Sequence, residues 1–273
     1  MSYNDSMNEL DRAVMRMAKS HAALPDLMRC LSEGELWTFI PWHPEVEDTD
    51  MELTNGMQMP FSQFEDEKGV FVPIFSSFER AREAMKQGRF PGRTYSAAAV
   101  DAKILMLILG GANLRAHVNR GCKTGGVLIG PDMMRGIADG TALATNEFEP
   151  TKNVKLKKLD PADYPTNIVQ SLFELMRQHK NFRAAWIFGR PKSQPEPPNG
   201  RGYNLMVLME PRDAVLCRDL NLVAGSAAGK LNELELGYVP INDGSYTAKL
   251  FAEAEPFYVA ADYERPVKQQ GGE

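Results

Sequence analysis

The sequence predicts an α+β fold made of two consecutive domains, residues 1–140 and residues 154–260. The chain has 273 residues, about twice the usual length of a single domain. Apolar periodicity is lost between residues 140 and 153, a stretch of small polar residues that is typical of a linker. Helix-like and strand-like patterns occur on both sides of this stretch, so each half is expected to build its own core.

Composition and charge limit the classes of protein to consider. Hydrophobic residues make up 43% of the chain and charged residues 25%, as in ordinary globular proteins. The net charge is -5, and no cluster of Lys and Arg marks a nucleic-acid footprint. No run approaches the roughly 20 apolar residues of a membrane-spanning helix. We therefore expect neither nucleic acid nor a membrane as a partner.

The cysteines and the N-terminal residues predict a cytoplasmic location. Cys30, Cys122 and Cys217 are far apart and odd in number, which favours free thiols in a reducing compartment. The first residues are polar and lack the basic and apolar regions of a signal peptide.

Three elements are predicted at the start of the first domain. Ser6 and Glu9 have the spacing of a capping box, in which two side chains satisfy free backbone N–H groups. They begin a helix over residues 6–19, where apolar residues recur at helical spacing. A second helix is predicted over residues 25–32, with a proline in its first turn. Residues 35–40 predict a strand because they alternate in strand fashion.

The middle of the first domain combines an apolar strand with two helices. Residues 69–75 predict the strand, and Pro73 predicts that it is an edge or bulged strand because proline donates no hydrogen bond. Ser76 or Ser77 is placed to cap the helix that follows. Residues 96–109 predict a strongly apolar helix that ends at two glycines.

A glycine-rich turn lies between two strands predicted at residues 114–119 and 127–129, and a short helix begins at Pro131. The turn invites comparison with a phosphate-binding loop. That loop requires a glycine directly before the lysine, and here Cys122 occupies this position. We therefore reject a nucleotide loop and expect no cofactor.

The same turn is the predicted site if the protein binds a small ligand. The predicted binding residues are Asn119, Arg120, Gly121, Lys123 and Thr124. Cys122 lies between two basic residues, which would lower the pKa of its thiol and make it the most reactive cysteine.

The second domain reads as strand, helix, strand, strand, helix, strand. The strands are predicted at residues 153–158, 182–188, 203–209 and 235–241, and the helices from Pro165 and over residues 212–231. This βαββαβ order predicts a ferredoxin-like domain with two helices on one face of a four-stranded sheet. Residues 189–202 are rich in proline and glycine and predict a long exposed loop.

No group of residues forms a convincing catalytic or metal site. His43 is the most site-like histidine, because it lies beside a tryptophan and a carboxylate-rich loop at residues 44–52. That loop lacks the ligand spacing and turn glycine of a calcium loop. The four histidines show no spacing typical of a metal site. We therefore predict no catalytic residue and no metal.

Several short segments together carry a family resemblance. The segments at residues 27–31, 35–37, 72–79, 114–119 and 126–131 make residues 27–139 resemble the SseB N-terminal domain. This domain is named for the bacterial enhanced serine sensitivity protein. Residues 154–258, which end in Pro256-Phe-Tyr258, are similar to the C-terminal domain that usually follows it. The family turn commonly runs Asn-Pro-Gly-Ser, where this chain has Asn119-Arg-Gly-Cys122.

The resemblance implies a cytosolic bacterial protein with no established catalytic residue or cofactor, and a loose link to serine sensitivity. Two functions remain as hypotheses. The first is a non-enzymatic interaction or regulatory protein, which would bind another protein through long loops and the proline-marked strand. The second is a small-molecule binder, with an amino acid as one ligand class, or an enzyme that uses the turn at residues 119–126.

Overall fold

A computed structural model of the chain describes residues 7–41, 60–88, 90, 95–145, 150, 155–190, 200–229 and 232–265. The chain divides into two compact units, Met1–Ala144 and Thr145–Glu273. Within the described ranges, no helix is long and apolar enough to cross a membrane.

The first unit is a mixed sheet with helices packed on it, which confirms the α+β class. Its helices are α1 (Glu9–Met17), α2 (Leu24–Ser32), α3 (Phe78–Lys86), α4 (Ala102–Gly111) and α5 (Pro131–Ala138). Its strands are β1 (Glu35–Pro41), β2 (Phe64–Asp66), β3 (Gly69–Phe75), β4 (Tyr95–Asp101), β5 (Arg115–Val118) and β6 (Val127–Ile129). The sheet order is β4-β1-β3-β5-β6, and β2 also pairs with β3.

Of the two alternatives predicted for the strand with Pro73, an edge or a bulged strand, the edge position is wrong. Strand β3 lies at the centre of the sheet, antiparallel to β1 and parallel to β5. Its pairing with β2 ends at Phe71 and its pairing with β1 begins at Ile74, so Pro73 falls between the two ladders. The Thr38 hydroxyl donates to the Pro73 carbonyl over 2.8 Å. On this side of β3 neither antiparallel ladder includes Pro73, so its missing N–H leaves no gap there, while on the other side it stays in register with His117 of β5.

The prediction of one helix over residues 96–109 is also wrong. Its first part is β4, which pairs antiparallel with β1 along its whole length. Asp101 ends the strand and caps the next helix, since its carboxylate accepts from the Ile104 amide over 3.0 Å. Only the part from Ala102 onward is helical. Alanine favours helices, but the ladder with β1 and burial of the strand override that preference.

Helix α1 is capped by a different residue from the one predicted. Ser6 lies outside the described residues, and the Asn8 side chain accepts from the Asp11 amide over 2.8 Å. Asn8 also donates to the Ser76 carbonyl over 2.8 Å, which ties the start of α1 to the end of β3. The other predicted elements of this unit, α2, α3, α5, β1, β5 and β6, are present.

The described residues of the second unit form a four-stranded sheet with three α-helices. The elements are α6 (Thr166–Met176), β7 (Phe182–Gly189), β8 (Gly202–Met209), α7 (Ala214–Ala228), β9 (Glu233–Tyr238), α8 (Gly244–Glu253) and β10 (Tyr258–Val259). The sheet order is β10-β7-β8-β9, with β8 and β9 parallel and joined through α7. Trp186, Phe188 and Leu250 lie in its core.

The ferredoxin-like arrangement predicted for this unit is not confirmed. Residues 155–158 of the predicted first strand are described. They pair with the sheet through an isolated bridge between Lys157 and Gly189 instead of forming a strand. The fourth strand of the sheet is instead β10, which the sequence reading missed together with α8. The predicted loop at residues 189–202 lies mostly outside the described residues.

We expect the fragment of residues 145–273 to fold alone, because fully buried side chains such as Trp186 and Leu250 have their neighbours within this unit. The measurement is near-UV circular dichroism together with urea unfolding of the fragment. A fixed aromatic spectrum and one cooperative transition are the expected results. A spectrum without near-UV bands would contradict the prediction.

Candidate functional site at the glycine-rich turn

Residues 119–126 form two consecutive tight turns between β5 and β6. The Cys122 amide donates to the Asn119 carbonyl over 3.1 Å, and the Gly125 amide donates to the Cys122 carbonyl over 3.0 Å. Gly121 is the third residue of the first turn and has a φ of 80°. A type II turn requires this positive value, which glycine adopts without strain. The sequence pattern of the turn therefore has a direct structural cause.

Asn119 anchors the turn to the rest of the unit. Its side chain is fully buried, and its amide group donates to Asp11 over 2.9 Å and to the Ser76 hydroxyl over 3.2 Å. Its side-chain oxygen accepts from the Ser76 amide over 3.0 Å. Thr124 is buried beside it, with 3.4 Å between its hydroxyl oxygen and the Asn119 amide nitrogen.

A buried ion pair lies beneath this anchor. Arg80 donates through Nε to Asp11 over 3.0 Å, and the two side chains are 5% and 3% exposed. The Ser76 hydroxyl donates to the same carboxylate. Arg80 also donates to Glu83 over 2.7 Å, and Glu83 accepts from the Lys123 backbone amide over 2.8 Å. Helices α1 and α3 and the turn are thus joined by one polar network.

The predicted binding residues divide into two groups. Asn119 and Thr124 are buried and bonded inside the network, so they hold the turn in place. Arg120 and Gly121 line an open cleft of about 460 Å³, together with Gln87, His117 and Gly126 among others. Lys123 is exposed and lines a neighbouring cleft of about 390 Å³ on the side of α3.

Arg120 is fixed in position although it is partly exposed. Its guanidinium lies 4.4 Å above the Phe71 ring, and its Nη1 donates to Asp66 over 2.6 Å. Asp66 also accepts from Arg115 over 3.1 Å. The hydrogen bond from Arg120, followed by that from Arg115, lowers the pKa of Asp66 to about 2, against an opposing effect of desolvation. The Asp66 carboxylate therefore stays charged at neutral pH.

His117 forms one wall of the same cleft. Burial, and next the charge of Arg120, lowers the pKa of this histidine, so it is neutral at neutral pH. Gly126 packs closely against it, because a Cβ atom at Gly126 would lie 2.9 Å from Cε1 of the ring. The Nδ1 atom of His117 is buried and has no hydrogen-bond partner among the described residues.

The prediction that Cys122 is a reactive thiol is wrong. Burial, and next the nearby charge of Glu83, raises the pKa of Cys122 to about 12. The sulfur is 3.3 Å from the Arg80 carbonyl oxygen, to which the thiol donates. The basic neighbours do not lower the pKa because Arg120 pairs with Asp66, and the Lys123 side chain is directed to solvent.

No group of His, Cys, Asp and Glu side chains within the described ranges is placed to hold a metal ion. His43 and the carboxylate-rich loop at residues 44–52 lie outside those ranges. The sequence reading did not identify Asp11, Arg80 and Asp66, the charged residues that hold the turn and Arg120.

The fold and this turn define an α+β domain whose glycine-rich turn is anchored by buried polar groups. Residues 10–132 match the family model of the SseB protein N-terminal domain. The resemblance stated for residues 27–139 is confirmed over the matched range. No curated protein and no solved structure matches the chain.

Removing the carboxylate of Asp11 is expected to destabilise the protein strongly. The variant Asp11→Ala leaves Arg80 buried without one of its two counter-charges, and breaking a buried pair in this way typically costs about 3–5 kcal/mol. Urea unfolding measures this loss. The matched control is Asp132→Ala, because Asp132 pairs with Arg135 on the surface and is 94% exposed. The control is expected to change stability by less than about 0.5 kcal/mol, and equal effects in the two variants would contradict the argument.

The order in which the cysteines are chemically modified is expected to follow how deeply each thiol is buried. Under native conditions at neutral pH, iodoacetamide should modify Cys30 before Cys122, because Cys30 is only half-buried and reaction requires an accessible thiolate. Burial raises the pKa values of both thiols, so the reaction should accelerate as the pH rises. Mass spectrometry of timed samples gives the order. Modification of Cys122 first would show that the turn opens readily.

Proposed function

We propose that the protein is a non-enzymatic regulatory protein that acts by binding another protein through the outer face of α4. The observation that supports this is an exposed apolar stripe. Ile104, Leu107 and Ile108 are 43%, 62% and 37% exposed. They stand at positions i, i+3 and i+4, so they lie together on one side of the helix.

Helix α4 is apolar on both of its sides apart from the exposed Lys103. Ala102, Leu105, Met106 and Leu109 are buried beneath it, and the stripe faces outward. A helix that is hydrophobic all round is normally buried on all sides. Contiguous exposed apolar surface on a globular protein commonly marks an interaction site. The outer face of α4 therefore has the character of a surface that a partner covers.

The stripe suits a partner that offers an apolar groove. Anchors at i, i+3 and i+4 are the pattern by which a helix lies in a hydrophobic groove of another protein. An obligate pair of identical chains typically buries about 2,000 Å² or more in total, or roughly 1,000 Å² from each partner. Three side chains on a ten-residue helix supply much less than that area. We therefore assign the face to a different protein with an apolar groove.

This proposal replaces the surface that the sequence suggested. Strand β3 is central in its sheet, so it offers no free edge for a partner strand. A non-enzymatic role is consistent with the glycine-rich turn, because its buried residues Asn119 and Thr124 stabilise the fold. A cytoplasmic location is part of the proposal, and the three free cysteines support it.

The variant Leu107→Glu is expected to weaken partner binding at least tenfold while leaving the fold intact. A charge at the centre of the stripe would have to be desolvated in the partner's groove. The partner is first found by placing a photo-cross-linking residue at position 107 of the full chain in its native host. The purified partner is then titrated with wild-type protein and with each variant.

The matched control for this test is Val215→Glu. Val215 is 45% exposed and lies in the second unit, so it tests the loss of any exposed apolar side chain. It is expected to leave the affinity unchanged. A cross-link to a second copy of the chain would refute the groove partner, and so would a partner that binds Leu107→Glu as tightly as wild type.

A further inference from the structure

The cleft beside the glycine-rich turn is lined by an arginine in a fixed orientation. Arg120 is stacked on Phe71 and bonded to Asp66, which fixes the plane of its guanidinium. A guanidinium has five N–H donors. Among the described residues, the bond from Nη1 to Asp66 is the one hydrogen bond of this side chain. Its remaining donors are therefore available to a further acceptor.

The surroundings of Arg120 favour a small anion over a neutral ligand. Arg115 and Arg120 share the single carboxylate of Asp66, so this group of three carries a net positive charge. Gln87 also lines the cleft, and its side-chain amide donates one hydrogen bond to Glu83 over 3.3 Å, which leaves its second N–H for a ligand. Gly121, Gly125 and Gly126 also line it, and the absence of their side chains lets a ligand approach the backbone.

We propose that the cleft lined by Arg120, Gln87 and the turn glycines binds a small molecule through a carboxylate or phosphate group. Arginine suits this task because its planar fork pairs with two oxygens of an oxyanion at once. The buried network of Asp11, Arg80 and Asn119 keeps the turn in one conformation, so little ordering remains to be done when the ligand binds.

This site is independent of the proposed protein-binding face. Arg120 lies in the turn after β5, whereas the apolar stripe lies on α4. The variant Leu107→Glu is therefore expected to leave anion binding unchanged. Failure of either proposal is visible without reference to the other.

The test is a nuclear magnetic resonance titration of the full chain with inorganic phosphate and, separately, with succinate. Sodium chloride keeps the ionic strength constant. The expected result is a saturable shift of the Arg120 Nε–H resonance and of the Gly121 and Gly126 amides. The two arms decide whether the group bound is a phosphate or a carboxylate.

Three variants make the test specific. Arg120→Gln is expected to weaken binding about tenfold or more, the loss of one charge-assisted pair. Arg82→Gln is the matched control, because the Arg82 guanidinium also lies over a phenylalanine, Phe78, at 5.6 Å. It lines the neighbouring cleft and should change the affinity less than about twofold. Asp66→Asn removes the competing carboxylate and should tighten binding.

The absence of a saturable shift in both arms would overturn the proposal. Equal losses in Arg120→Gln and Arg82→Gln would also overturn it, because they would show general attraction to surface charge. Should Arg120→Gln fail to fold, Asp66→Asn decides the question. Because asparagine keeps an oxygen that accepts from Arg120, the guanidinium stays in place in that variant, and unchanged or weaker binding would mean that Arg120 is not the ligand-binding group.

Discussion

The first unit depends on the burial of one ion pair, Asp11 with Arg80. Two charges removed from water cost several kcal/mol each unless every remaining donor and acceptor is matched. Here the Asp11 carboxylate accepts hydrogen bonds from Arg80, Ser76 and Asn119. Arg80 also donates a hydrogen bond to Glu83. These residues come from α1, the end of β3, α3 and the turn after β5, so the pair is satisfied only when all four parts are in place. A buried network of this kind favours a single arrangement over loosely packed alternatives.

The same network explains why the glycine-rich turn is both ordered and open. The groups that hold it, Asn119 and Thr124, face inward, and the Lys123 backbone is held through Glu83. Arg120 is held from the other side by Phe71 and Asp66. The turn therefore needs no ligand to keep its shape, and the groups that line its cleft are left to interact with solvent or with a ligand. Support and recognition are carried by different residues of one short segment.

The sequence predicted local features better than those that depend on distant contacts. The helix cap predicted at Ser76 or Ser77 is found at Ser77, and the helix predicted from Pro131 is present; both follow from neighbouring residues. Strand β4 was predicted as helix because its alanines favour helices, and only pairing with β1 makes it a strand. The turn was recognised, but its anchor Asp11 lies 108 positions from Asn119, beyond any local pattern. A signal for that anchor did exist, since Asp11 shares a helix face with Val14, and both are buried.

The apolar face of α4 and the polar cleft at Arg120 follow different physical rules. Binding at the α4 stripe is favoured by the release of water from apolar surface, so it requires a partner of complementary shape but no exact placement of single atoms. Binding at the cleft is favourable only if an oxyanion lies in the plane of the guanidinium. Stacking on Phe71 fixes the orientation of that plane before any ligand binds. Recognition at α4 therefore depends on the area and shape of the partner, whereas recognition at the cleft depends on the fixed position of one side chain. That position depends in turn on Phe71 and Asp66, because Phe71 lies in the aromatic core of the sheet and Asp66 belongs to β2.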